Sequence, residues 1–286
     1  MTDETRITPM SHGGGVKEYR EFLQRTDGAA DAIRFRLQRR EAFFAEFEAN
    51  RPQARYRPDV DLFRRSMFRR RADASLSPQM LWLTATAKLN QAERFGVGLG
   101  ELFGKDQAKF ESQPERLYVM LQEHYHTRIL AEVLSMFGLA LPTVPPSPGL
   151  GAMIALFVAL PHEWTLSLVC AAEIVGCVLF RAMRDRGVVL FGDDPVVAGR
   201  IRQLYNEILA DEIGHVGFLA AKLSSRGRRV TRWLARTLVA RNIVGGTPEV
   251  TLLFGADEIR RLMHGRFDVF QQAEEFPGRA YAAAAI

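Results

Sequence analysis

Two stretches of this chain repeat one spacing: Glu123 is followed three positions on by His126, and Glu212 three positions on by His215. On a helix, residues three apart stand on one face a turn from each other, so each pair presents a carboxylate and an imidazole to one metal ion. A single such pair arises often by chance, and a solvated Glu–His contact explains it as well. Two pairs, each deep in a long apolar stretch, resist that explanation, because buried carboxylates are costly unless paired or metal-bound. A third acid, Glu173, is the only charge in the run Val169-Cys170-Ala171-Ala172-Glu173-Ile174-Val175-Gly176. A purely structural role would leave it buried without a counter-charge.

A two-metal site inside a helix bundle needs one carboxylate from each helix that lacks the Glu-x-x-His pair. Glu173 serves one helix, and Glu93 or Glu101 the other. In an antiparallel hairpin, residues at one height lie equally far from the turn. The first helix is expected to end near Phe103 and the next to begin near Gln113, so Glu93 lies ten residues before the turn and Glu123 ten after it. Glu101 would sit about eight residues, roughly 12 Å, out of plane, and reads as a surface residue near the helix end. Gly96 and Gly100 share the face of Glu93 and allow a close helix approach. The second hairpin is less well matched: Glu173 lies thirteen residues before an end expected near Arg186, and Glu212 seventeen after Pro195. A histidine ligand usually gives its other N–H to an acceptor that fixes the ring. Asp211 directly precedes Glu212 and Gln122 directly precedes Glu123, so in a bundle they could reach across to His126 and His215 respectively; the alternative is an Asp211 that faces water.

The elements that carry these residues read as helices throughout, since β-branched alternation never lasts and no Asn-Gly or Asp-Gly turn separates apolar runs. The expected helices run from about Ala30 to Ala49, from Pro78 (capped by Ser77) to Phe103, and from Ser112 or Pro114 to Phe137, where Gly138 stops the chain. Pro142, Pro145, Pro146 and Pro148 make a stiff crossover. A short apolar helix to about Leu160 follows, then one from His162 to about Arg186, and one capped by Asp193 and Asp194 that reaches about Ser224. A basic amphipathic segment from Arg226 to Arg241 and a short helix from Ala256 to His264 complete the series, ahead of terminal alanines 282 to 285. This predicts an irregular or disordered stretch at 1–29 and one helical domain over 30–286, with the metal-binding bundle at about 77–224.

With 47% hydrophobic residues among 286, the chain can bury a large core. Its charge of +5, from 38 basic and 33 acidic residues, is too small to point to nucleic acid or an anionic membrane. The run Leu150 to Phe180 is long enough to raise a membrane span, but Pro161, His162, Glu163 and Glu173 interrupt it and favour burial in a bundle. Cys170 and Cys177 would stand about 10 Å apart on a helix, too far for a disulfide. They read as reduced core residues of a cytoplasmic protein, and the polar start Met1 to Lys17 does not read as a signal peptide.

The pattern Glu, Glu-x-x-His, Glu, Glu-x-x-His over four helices resembles the ferritin-like di-iron carboxylate proteins, and the form Asp211-Glu212-x-x-His215 looks like that of their O2-activating members. The resemblance covers roughly half the chain. It implies an all-α, ferritin-like four-helix bundle with added N- and C-terminal helices, and Glu93, Glu123, His126, Glu173, Glu212 and His215 as ligands, with Glu123 and Glu212 bridging. Two iron ions, or a manganese–iron pair, would be the cofactor and O2 the co-substrate. Departures narrow the choice. Leu130 stands where ribonucleotide reductase subunits carry a radical tyrosine, Gly176 where rubrerythrin-like peroxidases carry a further glutamate, and Ile208 where arylamine N-oxygenases carry an extra histidine. Storage ferritins lack the second histidine.

The leading expectation is an oxygenase or oxidase acting on a small organic substrate, with Phe95, Tyr125 and Phe218 as candidate pocket residues that read at least as well as ordinary core. No Gly-x-Gly-x-x-Gly follows a strand and no cysteine cluster occurs, so electrons for repeated turnover would come from an external donor. No nucleic-acid or membrane partner is expected, and a homodimer is compatible. The alternative is a helical interaction protein with a structural metal or none. In that reading Arg226, Arg228, Arg229, Arg232, Trp233, Arg236 and Arg241 would face an acidic partner.

Overall fold

The computed structural model describes residues 16–27, 33–69, 71–103, 114–141 and 160–264, and every regular element among them is helical. In chain order these are α1 (Val16–Asp27), α2 (Ile33–Ala49), α3 (Val60–Met67), α4 (Pro78–Phe103), α5 (Pro114–Ser135), α6 (His162–Leu190) and α7 (Pro195–Lys222). They continue with α8 (Ser225–Leu234), a π-helical turn (Ala235–Val239), α9 (Ala240–Gly246), α10 (Pro248–Phe254) and α11 (Ala256–His264). The starts and stops follow local chemistry. Ser77 Oγ accepts the Met80 N–H at 3.2 Å to cap α4, and the Asp194 carboxylate accepts the Val197 N–H at 3.3 Å ahead of Pro195 in α7. Past α5, Gly138 takes φ +70°, a left-handed conformation that glycine adopts without a Cβ penalty.

The four long helices pair as hairpins, α4 with α5 and α6 with α7, and close into a ring through contacts of α4 with α6 and of α5 with α7. Both hairpins are antiparallel. Asn90 on α4 donates to the Thr127 carbonyl on α5, and His126 lies against Glu93 at 3.1 Å. Across α6 and α7, Arg184 reaches Asn206 at 2.9 Å while Glu173 meets His215 at 3.3 Å. Helix α6 runs to Leu190, one turn beyond the expected Arg186. Its end therefore lies seventeen residues past Glu173, matching the seventeen between Pro195 and Glu212, and the misfit expected for this hairpin disappears.

The N-terminal expectation needs correction. Residues 16–27 of the segment predicted to be irregular form α1, and its Tyr19, Phe22 and Leu23 are buried. These three occupy i, i+3 and i+4 positions in a largely polar and charged segment, a narrow apolar stripe that packs on α7. Gly214 of α7 permits the contact, since a Cβ there would stand 2.7 Å from Phe22 Cε1. The expected irregular start at 1–15, the crossover prolines 142–148, the apolar helix before Leu160 and the terminal alanines lie outside the described residues.

One half of the core is organised by Trp82, whose indole N–H donates to the Met183 carbonyl at 2.8 Å and links α4 to α6. Phe137, Phe191 and Tyr205 surround it at ring-centroid distances of 6.5, 5.4 and 5.9 Å. Among the described residues α6 alone has the length and apolarity of a membrane span, and half of its most apolar window is buried inside the protein. Cys170 and Cys177 are free thiols in the core. Gly187 lies beneath Trp82, where an added Cβ would come within 2.5 Å of the indole. Gly187→Ala should therefore destabilise the fold by about 1–3 kcal/mol through overpacking. Thermal denaturation checks this, and an unchanged midpoint would show that the indole moves freely.

Candidate metal centre

Each long helix of the ring delivers its carboxylate at one height, and the six residues expected from spacing converge. Two groups of donor atoms form: Glu93, Glu123, His126 and Glu212, and Glu123, Glu173, Glu212 and His215. Within each group all ligand atoms lie within 4.8 Å of one another, and Glu123 and Glu212 belong to both. His126 Nδ1 is 3.1 Å from Glu93 and 3.2 Å from Glu212. His215 Nδ1 is 3.1 Å from Glu123 and 3.3 Å from Glu173. The imidazole centroids stand 5.7 Å apart. It is Glu93 that enters the cluster; the Glu101 side chain, like those of Phe95, Gly96 and Gly100, lies outside the described residues.

The outward nitrogens of both rings are also engaged. His126 Nε2 lies 3.3 Å from Asp211, and His215 Nε2 lies 3.1 Å from the Gln122 carbonyl oxygen. Two residues not anticipated from sequence join them. Arg40 of α2 makes a two-pronged ion pair with Asp211 at 2.8 and 2.6 Å, and Tyr19 of α1 donates to Gln122 at 2.8 Å. The stripe Tyr19-Phe22-Leu23 was a readable signal for α1. No sequence signal singles out Arg40, because α2 mixes basic and aromatic residues on all sides.

The expected pocket residues behave differently. Tyr125 stacks on Phe44 with centroids 5.7 Å apart and donates to Glu41 at 2.7 Å, and Phe218 packs on Tyr19 with its centroid 4.9 Å away. Both are core residues rather than pocket walls, because their rings are already filled by partners from the outer helices. Leu130 and Ile208 are fully buried hydrocarbon. Gly176 lies against Glu212, where a Cβ would be 3.3 Å from Oε2, so a longer side chain there would press on that carboxylate.

Burial and the close approach of like charges set the electrostatics of the cluster. Burial pushes Glu93 up to about 7, with the Glu123 charge adding to the effect against the His126 hydrogen bond. Burial and the neighbouring Glu173 raise Glu212 well above the carboxylate range. For Glu173 burial works upward, but the His215 hydrogen bond and charge prevail and hold it below its ordinary value. Burial works downward on both histidines, yet Asp211, Glu93 and Glu123 bring His126 up to about 9. Glu123 and Glu173 bring His215 up to about 10. The donor set fits a pair of divalent cations: four carboxylates supply the four negative charges that two such ions balance, and two imidazoles supply neutral nitrogen. Compared with protein-family models, with curated proteins and with solved structures, the chain matches none of them.

These protons compete with any metal. In the metal-free fold the histidines keep protons that the unfolded chain loses near 6.5, so their stabilising contribution is full below 6.5 and fades as pH rises toward 9 and 10. A metal held by these groups would displace those protons, so its binding would strengthen with pH. The rise in melting temperature on adding Mn(II) to chelator-treated protein should therefore grow between about pH 6 and about pH 9. A gain that shrinks with pH over that window would contradict the cluster as the binding site.

Proposed function

We propose that this protein is an O2-dependent di-iron oxidoreductase of the ferritin-like type that oxidises a small organic molecule. The observation that carries the reading is the sharing of Glu123 and Glu212 between two buried Glu/His donor groups. Glu93 and His126 would complete one iron site, and Glu173 and His215 the other. A pair of Fe(II) ions held there would supply electrons to O2, a reaction that mixed carboxylate and imidazole ligation suits.

The chain's own residues shape the outcome. Neither histidine side chain has exposed surface, and the Glu212 side chain keeps 3%, whereas those of Glu93, Glu123 and Glu173 keep 13 to 15%. Water is thus excluded on the histidine side, and a small molecule would approach from the glutamate side. Leu130 offers no phenol to store an oxidising equivalent, Ile208 adds no third imidazole, and Gly176 adds no further carboxylate. The substrate is then the partner left to be oxidised, with an external donor for any further electrons.

Protein reconstituted with Fe(II) should hold about two irons per chain and consume O2. His126→Ala and His215→Ala should each lower iron content, and Glu93→Ala should abolish O2 consumption while Glu101→Ala leaves it largely intact. Elemental analysis and an oxygen electrode read these outcomes. Stoichiometric iron in both histidine variants would remove the ligand assignment, and full iron without O2 consumption would favour a structural metal.

A further inference from the structure

The two histidines are joined by side chains that belong to neither donor group, and the polarity of the link is fixed at one end. Asp211 is fully buried and pairs through both oxygens with the Arg40 guanidinium, itself 1% exposed. Held as a carboxylate, Asp211 only accepts hydrogen bonds. Its neighbour Gln122 must therefore turn its amide N–H toward Asp211 Oδ1, as the structure has it. That leaves the Gln122 carbonyl oxygen facing His215 Nε2 at 3.1 Å and the Tyr19 hydroxyl at 2.8 Å. A flipped amide would set oxygen against carboxylate. On the other side, Asp211 Oδ2 faces His126 Nε2 at 3.3 Å. Both Nε2 atoms are thus required to donate, and both Nδ1 atoms are left to the cluster, where each can hold a proton against the carboxylates or give it up to a metal.

The geometry points to Arg40 as the positioning residue for both halves of the centre: from outside the four-helix ring it fixes Asp211, which sets the Nε2–H and the orientation of His126 directly and those of His215 through Gln122. This rests on the metal-binding reading above for its purpose, but not for its geometry. The Arg40 guanidinium lies over the rings of Tyr118 and Tyr125, at 5.6 and 5.1 Å from their centroids, and its Nε–H donates to the Tyr118 hydroxyl at 3.3 Å. That housing makes the guanidinium a fixed anchor rather than a mobile surface charge. The relay is asymmetric: His126 is one side chain from Arg40, through Asp211, and His215 is two, through Asp211 and Gln122.

The test compares full-length wild type with Arg40→Gln and Gln122→Met. In metal-free protein, proton NMR of 15N-labelled histidines should show two downfield, slowly exchanging Nε2–H resonances. Gln122→Met should lose protection at His215 and keep it at His126, whereas Arg40→Gln should lose it at both. Mn(II) titration should show affinity weakened about 10–100-fold at one half-site in Gln122→Met and at both in Arg40→Gln, with helix content by circular dichroism unchanged. An Arg40→Gln variant that folds and keeps the wild-type His215 resonance would overturn the proposal. If Arg40→Gln does not fold, Gln122→Met decides alone: an unaltered His215 resonance overturns the relay, and its selective loss upholds it. Wild type that binds neither Mn(II) nor Fe(II) would defeat the metal reading, while the NMR comparison would still decide the relay.

Discussion

Four carboxylates gathered around two imidazoles inside a helix ring set the constraint that governs the rest of this structure. Burial and the repulsion of like charges raise Glu93 and Glu212 above the carboxylate range, and the carboxylates in turn raise both histidines above their own, so the cluster as a whole favours taking up protons. A folded chain tolerates this only where the surrounding packing over-determines it. Here Trp82 braced on Gly187 organises one half of the core, and Tyr19 and Phe22 packed on α7 organise the other. Divalent cations would replace those protons and relieve the repulsion at its source.

Helix length is the device that brings the acids level. In the second hairpin Glu173 and Glu212 each stand seventeen residues from the turn between α6 and α7. In the first, α4 ends ten residues past Glu93 and α5 begins nine before Glu123. A one-residue change in either helix would rotate a carboxylate by about 100° away from the shared face, so register and chemistry are a single requirement.

The ring and its cluster were legible in the sequence because they rest on short-range rules. Ser77, Pro78, Asp194, Pro195 and Gly138 mark helix ends by hydrogen-bond chemistry, and Glu-x-x-His places two donors on one face whatever the tertiary context. The pairing of Asp211 with His126 and of Gln122 with His215 was readable as a possibility, because each sits directly before a motif glutamate and a histidine ligand needs an acceptor for its outer N–H. What escaped was long-range. Arg40 lies 171 positions from Asp211, and no local pattern tells a guanidinium in a mixed helix which buried acid it will meet. Helix α1 left only a faint signal, the stripe Tyr19-Phe22-Leu23, since so few apolar side chains among polar and charged neighbours suffice only where Gly214 offers a flat seat. The choice for Tyr125 and Phe218 between pocket wall and ordinary core, open in the sequence, falls to core for the same reason, as the helices that pack on them come from the N-terminal segment.

The outer helices therefore do more than enlarge the core. A four-helix ring could present the six donors unaided, but its histidine rings would be free to turn either nitrogen inward, and a wrong choice would deny a metal the nitrogen it needs. The ion pair between Arg40 and Asp211 removes that freedom, because a carboxylate that only accepts dictates every donor downstream of it. Desolvating such a pair is unfavourable in isolation. Its two-pronged geometry, the flanking tyrosine rings and the bonds from Gln122 and His126 offset that cost and convert one buried charge pair into control of two imidazoles. The N-terminal segment is thereby tied to the chemistry of the centre: α2 supplies the cation, α1 supplies the Tyr19 hydroxyl, and the ring supplies the donors they orient.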